Sequence, residues 1–270
     1  MKNSDTMTKY PLHITDQTGR KIRLDKKPGR IVSLVPSITY TLHRLGLDKE
    51  VVGITRFCKF PEDWKKQKSI IGGTKDVKTE RIAGLQPGLI IANKEENTKE
   101  TVQELEKIAP VYVSDVTDME SNARFIQDLS VILDKEATGK EIIDNIEAQL
   151  QSFKELEPVK SIYFIWREPW MSVGGDTFIS RMMRYAGFDN LLKNQKRYPV
   201  VNIEELQKMQ PEMILLCSEP FPFKEKHQAE MQTYFPDARI EIVEGEAFTW
   251  FGAYPEIALP YLKELRQHAH

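Results

Sequence analysis

The chain has 270 residues, of which 40% are hydrophobic and 29% charged, with a formal net charge of −2. That composition excludes a disordered chain, and the near balance of charge removes any whole-molecule attraction to nucleic acid or anionic lipid. A chain of this length buries about 70–75% of its unfolded surface, so it needs no disulfide or metal staple to fold.

No apolar run approaches the ~18–20 residues of a membrane helix, so no integral membrane segment is expected. Residues 1–9 lack the apolar core of a signal peptide. As it reads, the chain is expected in the cytoplasm, or in the periplasm or at the cell surface if the natural start lies upstream. Cys58 and Cys217 fit no metal-ligand spacing and read as free thiols rather than one bridge. The histidines, His13, His43, His227, His268 and His270, are not paired at metal spacing inside a predicted element. No metal held by the protein's own side chains, no cofactor and no catalytic set is expected.

In chain order, residues 1–29 form a polar lead-in with a hairpin at Asp16-Gln17-Thr18-Gly19. The apolar run 31–35 predicts a strand, followed by a helix that ends at Leu45-Gly46, where glycine supplies the left-handed cap. A short amphipathic helix follows, broken at Gln86-Pro87, then a buried strand over 89–92 and another over 111–113. Residues 118–157 are highly charged, with Ile142, Ile143, Ile146, Leu150 and Phe153 at helical spacing and Gly139 near the start of the run. They predict one long, stiff helix.

The second half repeats the order. A strand over 162–166 precedes a helix ending at Ala186-Gly187. A short helix broken at Gln210-Pro211 leads into strands over 213–217 and 240–243. This alternation predicts an α/β fold of two similar lobes with mostly parallel sheets, joined by a rigid backbone helix. The expected organisation is an N-terminal lobe (1–117), a connecting segment (118–157) and a C-terminal lobe (158–270). The ligand cleft is expected between the lobes, where the strand carboxyl ends face each other.

Large aromatic residues sit at strand ends or in loops: Trp166, Trp170, Trp250 and Phe221, with Phe223, Phe248 and Phe251. A planar ligand buries against such faces while a few polar groups fix its orientation; ordinary core packing is the alternative for any one ring. Arg56, Lys59, Lys75, Lys94, Arg167, Arg197 and Lys224 share these loops. Arg167 and Arg197, flanked by aromatics and proline, are the preferred orienting groups, the others reading as solvated charge. Gly174-Gly175-Asp176-Thr177 is neither a Walker loop nor a dinucleotide fingerprint. Glu80 and Glu204 occupy equivalent positions of the repeat, suited to arginine pairs on a two-fold partner or simply to the helix dipole.

Three stretches carry a family resemblance: Arg30-Ile31-Val32-Ser33-Leu34-Val35-Pro36-Ser37-Ile38-Thr39; Val52-Gly53-Ile54-Thr55; and Glu80-Arg81-Ile82 with Leu85-Gln86-Pro87 and Leu89-Ile90-Ile91-Ala92. Together they resemble the helical-backbone (cluster A-I, class III) substrate-binding proteins of ABC importers, over about residues 12–265. The run Trp166-Arg167-Glu168-Pro169-Trp170-Met171-Ser172-Val173-Gly174-Gly175-Asp176-Thr177-Phe178 is similar to the vitamin B12-binding branch. The resemblance implies a monomeric, non-enzymatic binding protein for a bulky metal chelate, a cobalt corrinoid such as cobalamin, feeding an ABC permease. A ferric siderophore is the alternative ligand. A signal-less cytosolic chelate carrier or sensor is a second alternative, and a two-lobed enzyme using Cys58 is the least favoured.

By the same resemblance Ser37 and Thr39 line the cleft, Phe57 is a cleft aromatic, and Cys58 and Lys59 lie beside it. Thr74, next to Lys75, and Asn93 stand where cobalamin binders often carry Trp, and Tyr40 stands where many relatives have Glu. Glu80 and Glu204 match the surface glutamates that dock on the permease.

Overall fold

A computed structural model describes residues 9–153 and 157–267, so His268, His270 and the first eight residues of the lead-in lie outside the described residues. The chain divides into two units. The first runs to Asp144 and includes Phe251–Tyr254; the second comprises Asn145–Trp250 and resumes at Pro255.

In the first unit, β1 (Leu12–Thr15) and β2 (Lys21–Leu24) pair antiparallel around the expected turn. The buried Asp16 carboxylate organises it, accepting the N–H groups of Thr18 (3.0 Å) and Arg20 (2.9 Å). There follow β3 (Ile31–Ser33), α1 (Pro36–Arg44), β4 (Val51–Ile54), α2 (Trp64–Gln67), β5 (Ser69–Ile70), α3 (Thr79–Gly84), β6 (Leu89–Asn93), α4 (Lys99–Glu106) and β7 (Val111–Ser114). The strands form a parallel sheet in the order β5-β4-β3-β6-β7. Ile31, Leu89, Ile90 and Ile91 are fully buried, as central parallel strands require. The chain runs outward from β3 through β4 and β5, then returns to lay β6 on the other side of β3. The sheet therefore has a topological switch point between β3 and β6.

The segment expected as one long helix is two, α5 (Met119–Leu133) and α6 (Glu136–Gln151). Asp134 takes a left-handed conformation (φ 51°), and the Lys135 N–H turns back to the Ser130 carbonyl at 2.8 Å, which ends α5. Helical spacing survives such a break, so periodicity did not reveal it. The two helices then meet closely: a Cβ built on Gly139 would lie 1.8 Å from Ser130 Oγ.

The second unit contains β8 (Val159–Trp166), β9 (Met171–Ser172), α7 (Phe178–Tyr185), β10 (Phe188–Asn190), α8 (Ile203–Lys208), β11 (Met213–Cys217), α9 (Glu225–Tyr234), β12 (Arg239–Val243), α10 (Gly245–Thr249) and α11 (Pro255–Gln267). Its sheet runs β10-β8-β11-β12, all parallel, with β9 antiparallel on β8. Here the switch point falls between β8 and β11.

The repeat read from sequence reappears in the backbone. Gly46 (φ 71°) and Gly187 (φ 79°) follow α1 and α7 as left-handed caps. Gln86 (φ 47°) and Gln210 (φ 51°) follow α3 and α8 in the same left-handed conformation, each just before a proline, which disfavours continuing the right-handed helix. Among the described residues no helix is long and apolar enough to cross a membrane.

Candidate functional site

In open α/β sheets a ligand binds beyond the strand carboxyl ends at the switch point. In the second unit those ends are Trp166, closing β8, and the segment Ser218-Glu219-Pro220-Phe221-Pro222-Phe223, leaving β11. This segment and the loop after β8 build a continuous aromatic wall. The Trp166 ring meets Phe221 at 5.6 Å between centroids, Phe221 meets Phe223 at 4.7 Å, and Phe223 stacks on Trp170 at 6.1 Å with ring planes 3° apart. Trp170 in turn stands edge-on to Phe164 of β8 at 5.3 Å. Trp166 is 40% exposed, a large apolar face offered to solvent at a position where the fold expects a ligand.

Arg167 lies over the Trp170 ring, its guanidinium carbon 5.4 Å from the centroid. Glu230 of α9 holds the same guanidinium at two points, Nε to Oε2 at 3.1 Å and Nη2 to Oε1 at 2.9 Å, and Glu168 takes Nη1. These carboxylates raise the Arg167 pKa, the Glu230 hydrogen bonds contributing most. The side chain thus clamps the indole, with donors already engaged. His227, third residue of α9, completes the wall: it is 6% exposed and stands edge-on to both Phe221 (5.3 Å) and Phe223 (5.6 Å).

Arg197 lies in the loop before α8, and Trp250 follows α10. Arg197 (φ 56°) is exposed. Its N–H donates to Asp176 Oδ1 at 2.6 Å, and its guanidinium lies over the Tyr198 ring. That loop explains the Gly174-Gly175 pair: a Cβ on either glycine would come within 2.5 Å of the Gln195 or Lys193 carbonyl oxygen. Thr177 caps α7, accepting the Ser180 N–H at 3.2 Å. Trp250 is buried at the end of α10.

In the first unit the loops after β5, β4, β3 and β6 follow one another along the sheet edge, in that order. Phe57 is 50% exposed, with the Arg56 guanidinium 5.0 Å from its centroid. Arg56 is bound to Asp76 by two hydrogen bonds, 2.8 and 3.0 Å, which hold the Asp76 carboxyl below its usual range. Gly73 lets this corner close, since a Cβ there would meet Phe57 at 2.8 Å and Asp76 at 2.2 Å. Asn93 is buried and shapes the turn after β6, its Oδ1 accepting the N–H groups of Glu95 (3.0 Å) and Glu96 (3.1 Å). Asn97 then donates to the Thr74 carbonyl at 2.8 Å, and Lys75 Nζ reaches the Glu95 carbonyl at 3.2 Å. Phe57, Thr74, Lys75 and Asn93 therefore gather at one sheet end, with the exposed Lys59 on the Phe57 loop.

Thr39, Ser37 and Cys58 are buried beneath that surface. The Thr39 hydroxyl donates to Ser33 Oγ at 2.8 Å and lies 3.2 Å from Cys58 Sγ, which Thr55 Oγ1 approaches at 3.4 Å. Burial pushes the Cys58 thiol up, against the lowering effect of these hydroxyls. Glu80 and Glu204 are both exposed, each second in its helix, α3 and α8. A surface concavity lined by Val77, Lys78, Thr79, Glu80 and Arg81 adjoins the first.

Sequence reading named the rings but not the groups that fix them: Glu230, Asp76 and His227. The nearest local signal is the Phe221-Pro222-Phe223 run entering a helix whose third residue is histidine. Among the described residues no group of three or more His, Cys, Asp or Glu is arranged to hold a metal ion.

Comparison with known proteins gives a consistent set. A family model described as periplasmic binding protein matches residues 31–236. A vitamin B12-binding protein of Vibrio campbellii is 29% identical over 191 residues, covering 68% of this chain and 69% of that one. An uncharacterized ABC transporter substrate-binding lipoprotein of Bacillus subtilis is 26% identical over 221 residues, covering 76% and 69%. Among solved structures, the periplasmic vitamin B12 binding protein of Vibrio cholerae superimposes with a TM-score of 0.76 at 19% identity, covering 90% of this chain and 98% of that one. The apo periplasmic heme-binding protein of Roseiflexus sp. RS-1 gives 0.77 at 20% identity, covering 89% and 98%. At these identities the two structures show a shared fold.

Proposed function

This chain belongs to the periplasmic binding protein family, and on that premise we propose that it captures a bulky, flat metal chelate, a cobalt corrinoid, for delivery to an ABC importer. The observation that carries this reading is the aromatic wall Trp166–Phe221–Phe223–Trp170 at the switch point of the second unit. Trp166 offers its exposed face to a planar ligand, Phe221 and Trp170 are half-buried beside it and the buried Phe223 backs them. The metal arrives wrapped in its own macrocycle, so the protein need supply no ligand set. Vitamin B12-binding proteins among the sequence relatives support the same ligand class. The role is one of binding and release, without a chemical step.

A ferric siderophore, the alternative ligand, is an anionic chelate best held by free guanidinium forks. Arg56 and Arg167 are each held at two points by a carboxylate, which favours the corrinoid. Delivery to an importer assigns Glu80 and Glu204 to permease arginines and puts the working compartment outside the cytoplasmic membrane, in the periplasm or at the cell surface.

The test is a tryptophan-fluorescence titration with cyanocobalamin, dicyanocobinamide and a panel of ferric chelates, with Trp166→Ala and Trp170→Ala as site variants. Corrinoids are expected to quench saturably, and each variant to lose about tenfold or more in affinity, equivalent to about 1.4 kcal/mol. Quenching by the anionic ferric chelates alone, or by none of these ligands, would overturn the corrinoid reading.

A further inference from the structure

His227 sits at the hub of the aromatic wall and is the one titratable ring within it. Its Nδ1 lies 2.9 Å from the backbone nitrogen of Lys224, whose N–H can only donate. Nδ1 must therefore carry a lone pair, and the neutral ring keeps its proton on Nε2. The backbone N–H groups of His227 and Gln228 also donate to the Lys224 carbonyl, at 2.8 and 3.2 Å, but the Nδ1 bond is the one that fixes the imidazole, which packs edge-on against both Phe221 and Phe223. A proton taken from water at Nδ1 would set N–H against N–H, break the bond and place a charge among apolar rings.

The surrounding charges act in the same direction. Lys224 and Lys226 flank the ring from the start of α9, and Arg167 faces it from the loop after β8, all opposing a positive imidazole. Glu230, one turn further along α9, favours it, but its carboxylate is already engaged by Arg167. Burial is the largest influence, and the net effect holds the His227 pKa below its ordinary value. The neutral wall is thus the resting form at neutral pH, and acidification is what changes it.

We propose that neutral His227 is a positioning residue that holds the aromatic wall in its binding arrangement, and that its protonation below neutral pH loosens the wall and weakens chelate binding. The inference rests on the ligand reading above only in its second half. The first half concerns the ligand-free protein and is tested there.

The ligand-free chain is titrated from pH 7.5 to 4.5 by NMR, following the His227 imidazole and the indole N–H signals of Trp166 and Trp170. His227→Asn, which offers a carbonyl acceptor that does not titrate, is followed alongside. The expected result is that both indole signals move with the midpoint of the His227 ring, below pH 6.5, and that the Asn variant stays flat. Indoles that ignore the imidazole titration, or that move identically in the variant, would overturn the proposal. If the Asn variant does not fold, the wild-type comparison of ring and indole midpoints decides alone.

Cyanocobalamin affinity is then measured over the same range. Wild type is expected to lose up to about tenfold for each pH unit below the midpoint, with no such loss in the variant. Equal pH dependence in both proteins sinks the regulatory inference while leaving the corrinoid reading intact. No binding at any pH sinks the corrinoid reading, while the indole titration still judges the role of His227.

Discussion

Asn122 holds Gly252 by both of its backbone groups: the side-chain amide donates to the Gly252 carbonyl at 2.9 Å, and the side-chain carbonyl accepts the Gly252 N–H at 2.5 Å. The two residues are 130 positions apart, and both are buried in the first unit. Thr41 takes the next N–H, that of Ala253, at 3.0 Å. A late piece of chain is thereby fixed into the first unit by hydrogen bonds rather than by a sheet.

Asn122→Ala would leave two buried backbone groups unsatisfied, at about 1–3 kcal/mol each. A loss of about 2–6 kcal/mol in urea unfolding is expected. Gly252→Ala should cost at least as much, since φ is 78° there and a Cβ would lie 1.9 Å from Thr41 Oγ1. An unfolding midpoint unchanged in Asn122→Ala would mean that these bonds do not hold the segment.

Gly139 tests a competition between two effects. In an exposed helix Ala outranks Gly by about 1 kcal/mol, so Gly139→Ala would stabilise α6 if helix propensity decided the outcome. Steric overlap with Ser130 Oγ argues the reverse, and a loss of about 1–3 kcal/mol is expected. Adding Ser130→Ala should recover part of it, because the oxygen is removed while the Cβ, 2.8 Å from the new methyl, remains. A more stable single variant would show that the helices part freely.

Both cysteines are free and buried. Burial pushes the Cys217 thiol up to about 12 and raises Cys58 as well. Neither should react with an aromatic disulfide reagent at pH 8 until urea unfolds the chain. The unfolded thiols ionise near about 8.5, where the folded ones still hold their protons. Unfolding therefore releases protons above that pH, and stability present below it is lost as pH rises toward the folded values. Urea unfolding from pH 8 to 10 should show this decline, by up to about 1.4 kcal/mol per pH unit for each thiol, and Cys217→Ala should remove the Cys217 share while leaving that of Cys58. Rapid labelling of the native protein at pH 8 would contradict the burial on which this depends.

Local chemistry made much of the fold legible. Gly46 and Gly187 declare helix ends because a left-handed cap favours glycine, and both Gln-Pro pairs declare breaks because proline restricts the residue before it. Asp16-Gln17-Thr18-Gly19 reads as a turn for the same kind of reason. Asp134 ends α5 just as firmly, yet its left-handed backbone carries no glycine or proline to announce it, and the segment read as one helix. Gly174-Gly175 could be excluded as a phosphate loop, but its purpose, admitting the 193–197 backbone, is a contact between distant segments.

The candidate site divides along the same line. Sequence placed Trp166, Trp170 and Phe221 in loops at strand ends, because residue type and alternation are local properties. It could not place Arg167 over Trp170, seat His227 against two phenylalanines, or give Arg167 and Arg56 their carboxylates, since Glu230 lies 63 residues from the first and Asp76 20 residues from the second. Thr39, in the first turns of α1, and Asn93, at the end of β6, show the converse: the structure spends their polar groups inside the protein. What the chain determines by itself is where its backbone must turn and which faces must be buried, because those follow from steric and solvation costs paid residue by residue. Which side chains meet, and which charges arrive already neutralised, was decided only when strand order brought β8 beside β11 and β3 beside β6.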